Sequence, residues 1–348
     1  MSSYLAQEIT SQPQEVEGFL KRHTAEMLAL SRTLPPCDYA LVAARGSSDH
    51  AATYARYVLG ALAGLPVAPA APSLHTLYRT PPRLNGALVI GVSQSGQSPD
   101  VVSVVEEGRR QGRPTLAFTN DAQSPLAQAA DHVFTLCASP ERAIAATKTY
   151  TTQLAGMALL GAAMARSDPH LAALERLPEA MAQVLSGARA AAAEVAGQLG
   201  EVTSFLMLAR GINLCTADEL SLKLRELLCL PTHGWSAADF RHGSIAILTP
   251  GRRSDALLIM PRGAGFADMQ KLAEELGARG GALTVISDDP GAVPGAFARL
   301  PLAASVPEWL SPLTAVLPGQ LLALQMVLSR GLDPDRPAGL PEKVVKTT

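Results

Sequence analysis

Apolar and polar positions fall along this chain in alternating blocks that repeat. A short apolar run, Tyr39-Ala-Leu-Val-Ala-Ala44, ends in Arg45-Gly46 and leads into SSDHAATYARYVLGALAG, where apolar residues recur at helical spacing. A second run, Ser204-Phe-Leu-Met-Leu-Ala209, ends in Arg210-Gly211 and leads into INLCTADELSLKLRELLCL. Each half then repeats the design. Gly86–Val92 and Asp255–Met260 are apolar, PDVVSVVEEGRRQG and ADMQKLAEELGARG follow, and a third run closes in a small polar turn, TLAFTND or ALTVISDD. Short apolar runs between amphipathic helices predict parallel strands with crossover helices. The Arg-Gly turn shared by both halves points to duplication.

The expected fold class is therefore α/β, with two tandem doubly wound parallel-sheet domains. A length of 348 residues suits two domains. Their expected bounds are 35–169 and 201–330. A helical segment, 1–34, precedes them, an alanine-rich helical connector, 170–200, joins them, and a tail rich in proline and charge, 331–348, closes the site.

Charge and composition narrow the partners. A net charge of −2 without a basic run lacks the footprint of a nucleic-acid binder. The polar, acidic N-terminus is unlike a secretory or transit signal. No stretch reads as long and apolar enough to cross a bilayer, and the most hydrophobic, Leu154 to Ala165, reads as a core helix. A cytoplasmic location without a membrane partner is expected. Cys37, Cys137, Cys215 and Cys229 are scattered without CxxC spacing, which predicts free thiols and neither disulfides nor a zinc site. With no metal-ligand cluster and no nucleotide fingerprint, no cofactor is expected.

In doubly wound sheets, ligands bind beyond the carboxyl ends of the strands. The loop after the second strand of the first half reads Ser93-Gln94-Ser95-Gly96-Gln97-Ser98-Pro99-Asp100. Proline suits a helix start, and the exposed N–H groups and dipole of that helix attract an anion. Serine hydroxyls add donors without charge, and glycine would let the backbone approach the anion. A capped helix start would need only Ser98. The loop after the first strand, Gly46-Ser47-Ser48, is of similar composition. The corresponding loop of the second half, Pro261-Arg262-Gly263-Ala264-Gly265, carries no hydroxyl, so one phosphate site per chain is expected.

Ser-Gln-Ser-Gly-x-Ser after one strand and Gly-Ser-Ser after an earlier one resemble a sugar isomerase (SIS) domain. From about residue 35 onward, the chain resembles the isomerase half of glucosamine-6-phosphate synthase, itself built of two SIS domains and a tail. Glu141-Arg-Ala-Ile144-Ala-Ala146-Thr147-Lys148 is similar to that family's Glu-x-x-Val-Ala-Ser-Thr-Lys segment. Glu219-Leu-Ser-Leu-Lys223-Leu-Arg225-Glu226 resembles its Glu-x-x-x-Lys-x-Lys-Glu helix. Phe240-Arg241-His242-Gly243 matches its Leu-Lys-His-Gly turn, and Lys343 falls at its C-terminal lysine.

The resemblance implies roles. Ser47, Ser48, Ser93, Gln94, Ser95 and Ser98 would hold a sugar 6-phosphate, and Gly46, Ile144 and Ala146 would line the sugar. Glu226 would move the proton between C1 and C2, with Lys223 beside it on one helical face. His242 would open the ring from the neighbouring subunit of a homodimer, and Lys343 would form an imine with the open-chain ketose. Taken alone, Lys223 and Glu226 are also consistent with a solvated ion pair, and His242 with a structural histidine. Between Asp239-Phe240 and a strand-like Ile245–Leu248, His242 is expected in a turn. His50 and His233 are expected to be loop or packing residues.

The synthase carries a glutaminase domain ahead of its isomerase half, and here only a short segment precedes the first domain. The leading expectation is conversion of glucosamine 6-phosphate to fructose 6-phosphate and ammonia. The alternatives are a glutamine-independent synthase-type reaction, a plain phosphohexose isomerase, and a sugar-phosphate-sensing protein. Two departures from the family pattern, Ala146 for Ser and Ser244 for Pro, bear on which sugar is bound.

Overall fold

The computed structural model describes residues 3–136, 139–248 and 254–340. The chain divides into two compact units. Among the described residues, a first-sheet unit comprises 14–141 and 148–176, and a second-sheet unit comprises those up to 13, 142–147 and 177–340. The divisions fall inside two long helices, α1 (Tyr4–Thr33) beside its internal Pro13 and α7 (Asp168–Leu199) beside its internal Pro178. A helix-internal proline removes one backbone hydrogen bond, so both divisions lie at weak points of the ladder.

The first-sheet unit runs β1 (Tyr39–Ala43), α2 (Ser47–Ala63), β2 (Val67–Pro69), α3 (Ser73–Thr76), β3 (Ala87–Val92), α4 (Pro99–Arg110), β4 (Thr115–Thr119), α5 (Pro125–Ala129), β5 (His132–Thr135) and α6 (Lys148–Met164). Its sheet has the order β2-β1-β3-β4-β5, every pair parallel. All six residues of β3 are buried, as a central strand covered on both faces must be. One face packs Val89, Val101, Val104, Val105, Ala117 and Leu126 together.

The second-sheet unit runs β6 (Leu206–Ala209), α8 (Leu214–Leu228), β7 (Gly234–Ser236), α9 (Ala237–Arg241), β8 (Ser254–Ile259), α10 (Phe266–Ala278), β9 (Gly281–Ser287), β10 (Ala298–Pro301) and α11 (Ser311–Ser329). Its order, β7-β6-β8-β9-β10, is the first sheet's order moved on by five strands. The halves are the tandem doubly wound α/β sheets that the repeats predict. The edge strands β2, β5, β7 and β10 have three or four residues each, too short to stand out from flanking loops in an apolar pattern.

Residues 244–247 form a 3₁₀ turn, where the sequence suggests a strand. Ile245 and Ile247 do not alternate in and out of a sheet. Ile247 is 53% exposed, and Ile245 packs partly against the second core.

The expectation that no segment could span a bilayer also needs correction. The helical stretch Glu308–Ser329 meets the length and composition of a span, although 94% of its apolar window is buried within the protein. It is a core helix. Gly319 in α11 lies so close to α8 that a Cβ there would fall 2.2 Å from Leu220 Cδ1, and Asn213 Nδ2 donates to Ser311 Oγ at 2.8 Å. These contacts set α8, which carries Glu226, against α11. We expect Gly319→Val to lower stability by about 1–3 kcal/mol through overpacking, measured as the shift in urea midpoint at unchanged slope.

Candidate active site

In the first-sheet unit, chain reversal between β1 and β3 creates the switch point where doubly wound sheets take ligands. The loops after these two strands hold all six residues expected to bind phosphate. Gly46, at φ +56°, caps the start of α2 in a conformation that favours glycine, and Ser47 and Ser48 are the first residues of that helix. Ser98, in extended conformation, precedes Pro99, the first residue of α4. The N-termini of two helices thus flank the same crevice.

Three of the hydroxyl oxygens accept hydrogen bonds from groups of the same unit. Ser93 Oγ accepts the Gly96 N–H at 3.2 Å, Ser95 Oγ accepts the Gln97 N–H at 3.3 Å, and Ser48 Oγ accepts from Gln153 Nε2 at 3.0 Å. Ser98 stands at the N-cap position of α4, yet its side chain makes no capping hydrogen bond. At 9% exposure it is a nearly buried hydroxyl not engaged by its own helix. A capped helix start does not account for this loop; an incoming acceptor at the α4 N-terminus would.

Gly96 meets a packing requirement that its position does not announce. It adopts φ +63°, and a Cβ would fall 2.2 Å from Ser124 Oγ. Glycine here admits the N-cap of α5, whose Ser124 Oγ accepts the Ala127 N–H.

In the second-sheet unit, α8 carries a buried charge cluster. Lys223, 1% exposed, places Nζ 2.6 Å from Glu226 Oε2 and 3.3 Å from Glu219 Oε1. Glu219 is wholly buried, while the Glu226 side chain is 19% exposed. The Lys223–Glu226 pair is therefore not a solvated surface bridge. The motif's own Glu219 completes it from one turn back, a partner that the Glu-x₃-Lys-x₂-Glu spacing could have disclosed. One cation is held against both carboxylates, and of the two only Glu226 keeps an exposed edge.

His242 follows the last residue of α9, its N–H donating to Asp239 O at 3.0 Å, and Gly243 turns away at φ +134°. The imidazole is exposed, with no hydrogen-bond partner among the described residues, and the structure shows no contact between it and Glu226. The preceding Arg241 is anchored to α10, binding Glu275 and Asp268 at 3.0 Å each. The hydrogen bond to Glu275, aided by Asp268 and opposed by partial burial, raises the Arg241 guanidinium above its ordinary value.

Ile144 and Ala146, both half-buried, lie in the segment before α6, which Glu8 of α1 ties down. Its carboxylate accepts the Arg142 and Ala143 N–H groups at 2.5 and 3.1 Å. Lys343 and Cys137 lie outside the described residues. Cys37, Cys215 and Cys229 are free thiols, and no group of three or more His, Cys, Asp or Glu side chains could hold a metal among the described residues. His50 lies within α2, and His233 packs edge-on to Trp235 at 4.6 Å between ring centroids.

A duplicated doubly wound sheet with hydroxyl-bearing loops at one switch point defines an α/β protein of the doubly wound, ligand-binding class. The chain belongs to the SIS (sugar isomerase) family: residues 34–163 match the SIS domain. It is 31% identical over 98% of its length to the glutamine–fructose-6-phosphate aminotransferase (isomerizing) of Pyrococcus horikoshii, of which it covers 57%. The chain thus spans little more than half the length of the curated relatives it matches. A candidate phosphosugar isomerase from Silicibacter pomeroyi has 31% identity and a TM-score of 0.86, with 96% of this chain and all of that one covered. A glucosamine-6-phosphate deaminase from Thermotoga maritima shares the fold at 21% identity and TM-score 0.75, covering 99% of this chain and all of that one.

The buried cluster yields a prediction. Lys223→Met would leave the wholly buried Glu219 without its cation and should cost about 3–5 kcal/mol. Adding Glu219→Leu should return part of that loss. Chemical denaturation of the single and double variants checks both.

Proposed function

We propose that this chain binds a hexose 6-phosphate and transfers a proton between its C1 and C2, and that it acts on glucosamine 6-phosphate. The observation that carries the reading is Glu226, a partly exposed carboxylate held in place by a buried lysine 2.6 Å away. A base that takes a proton from one carbon and returns it to the next must be positioned in this way. The hydroxyl-bearing loops of the first-sheet unit would supply recognition of the phosphate.

In the open-chain aldehyde, Glu226 removes the proton from C2, giving an enolamine, and returns it to C1. The C2 imine then adds water and expels ammonia, leaving fructose 6-phosphate. One water is consumed and one ammonia released, with no oxidant or reductant. The reverse direction needs ammonia delivered to the imine carbon, whereas breakdown needs only water besides the groups named. His242, an exposed imidazole, is a side chain of the type that can pass a hydroxyl proton to the ring oxygen. We assign it that role across the two-fold interface of a homodimer. Lys343 would form the imine with the ketose.

The test is incubation with glucosamine 6-phosphate, following ammonia and fructose 6-phosphate together. Equal release is expected, falling about 10²–10⁴-fold in Glu226→Gln with fructose 6-phosphate binding retained. Interconversion of unsubstituted hexose 6-phosphates without ammonia would instead make the chain a plain isomerase. Ligand binding with no turnover of any hexose phosphate would make it a sensor. The dimer assignment has its own check. Mixing inactive Glu226→Gln and His242→Asn chains should restore activity if the two residues act across subunits, and should restore none if each active site is built from one chain.

A further inference from the structure

We propose that Arg45 is a positioning residue that balances the charge of the phosphate loops, an inference that rests on the phosphosugar reading above. Arg45 immediately precedes Gly46-Ser47-Ser48, and Asp100 is the second residue of α4, immediately after Ser98-Pro99. The guanidinium donates through Nε at 2.7 Å and Nη2 at 2.5 Å to one oxygen, Asp100 Oδ2. The other oxygen accepts the Val101 N–H at 2.9 Å. A single ion pair therefore ties together the two loops that flank the switch point.

The pair also settles a conflict of charge. The first turn of α4 attracts an anion, and Asp100, 6% exposed, already occupies it. A phosphate bound at Ser93–Ser98 would share that helix end with a nearly buried carboxylate of its own sign. Arg45 offsets the charge of the carboxylate, which would otherwise repel a phosphate at the same helix end.

The duplicated half supplies an internal control. Arg210, at the equivalent turn, places Nε 3.0 Å from Asp268 Oδ2 in the first turn of α10. The pair is present in both halves, but the loop beside the second has no hydroxyl. There the Ala264 N–H is already taken by both carboxylate oxygens of Glu308, at 3.0 Å each. In the second half, the clamp joins two loops without serving a phosphate.

Binding of fructose 6-phosphate, measured by titration calorimetry on the whole chain, tests this. Arg45→Gln should weaken binding by about tenfold or more, and Arg45→Lys should recover most of the loss. Arg45→Gln with Asp100→Asn, which removes the clamp but also the unbalanced charge, should bind more tightly than Arg45→Gln alone. Arg210→Gln should bind within about twofold of wild type. The inference is overturned if Arg45→Gln binds within about twofold of wild type, if the double variant is no better than the single, or if Arg210→Gln is equally impaired. Failure of the wild-type chain to bind fructose 6-phosphate overturns the functional reading itself, and this inference with it.

Discussion

Parallel strand pairing is the constraint from which the candidate site follows. It sends the carboxyl end of every strand to the same edge of its sheet, so each strand must be followed by a crossover that returns to the opposite edge. In the order β2-β1-β3-β4-β5, successive crossovers from β1 leave in opposite directions, and the loops after β1 and β3 part there. Ser47, Ser48, Ser93, Ser95 and Ser98 are separated by up to 51 positions of sequence and share that opening. The helices after the two strands start at the same place, so two sets of N–H groups accompany the hydroxyls.

Duplication preserved the backbone of this device and changed its chemistry. Both halves turn from their first strand through Arg-Gly with the glycine at positive φ, +56° in Gly46 and +63° in Gly211, where a side chain would be strained. Both bind that arginine to an aspartate in the first turn of the helix after the next strand. The first half fills the remaining loop with serines. The second half uses alanine and glycine there, and a carboxylate from elsewhere in the same unit satisfies the backbone donor. Its chemical groups lie instead on α8 and in the turn after α9.

These distinctions explain what could be read from the chain. Buried central strands such as Ala87–Val92 and helices such as Pro99–Arg110 are legible because burial on both faces or on one stripe writes itself into the apolar pattern. The short edge strands leave no such record, and Ile245–Leu248 carries the composition of a strand without the pairing. Gly96 was legible as a required glycine but not for its reason, since Ser124, the side chain that excludes a Cβ, lies 28 residues away in sequence. Spacing alone puts Lys223 beside Glu226. That Lys223 is buried depends on tertiary packing around α8, which includes the close approach of α11 at Gly319 to Leu220, and no local pattern encodes that.

The buried lysine bears on what α8 is for. Removing a lysine and two carboxylates from water costs several kcal/mol per ion, and their attraction returns that only when geometry and hydrogen bonding are good. An apolar triad of similar volume would stabilise α8 as well or better, and its contact with α11 is already supplied by Leu220 against Gly319. The cluster is therefore poorly explained as a stabilising device. Its physical effect is to fix a side chain. Lys223 is shared between a carboxylate that is wholly buried and one whose edge is exposed, so Glu226 is held against a cation that is itself anchored. A carboxylate on an exposed helix would be free to rotate and hydrated on all sides. Under the proposed function, the difference between those states is preorganisation for proton transfer between adjacent carbons.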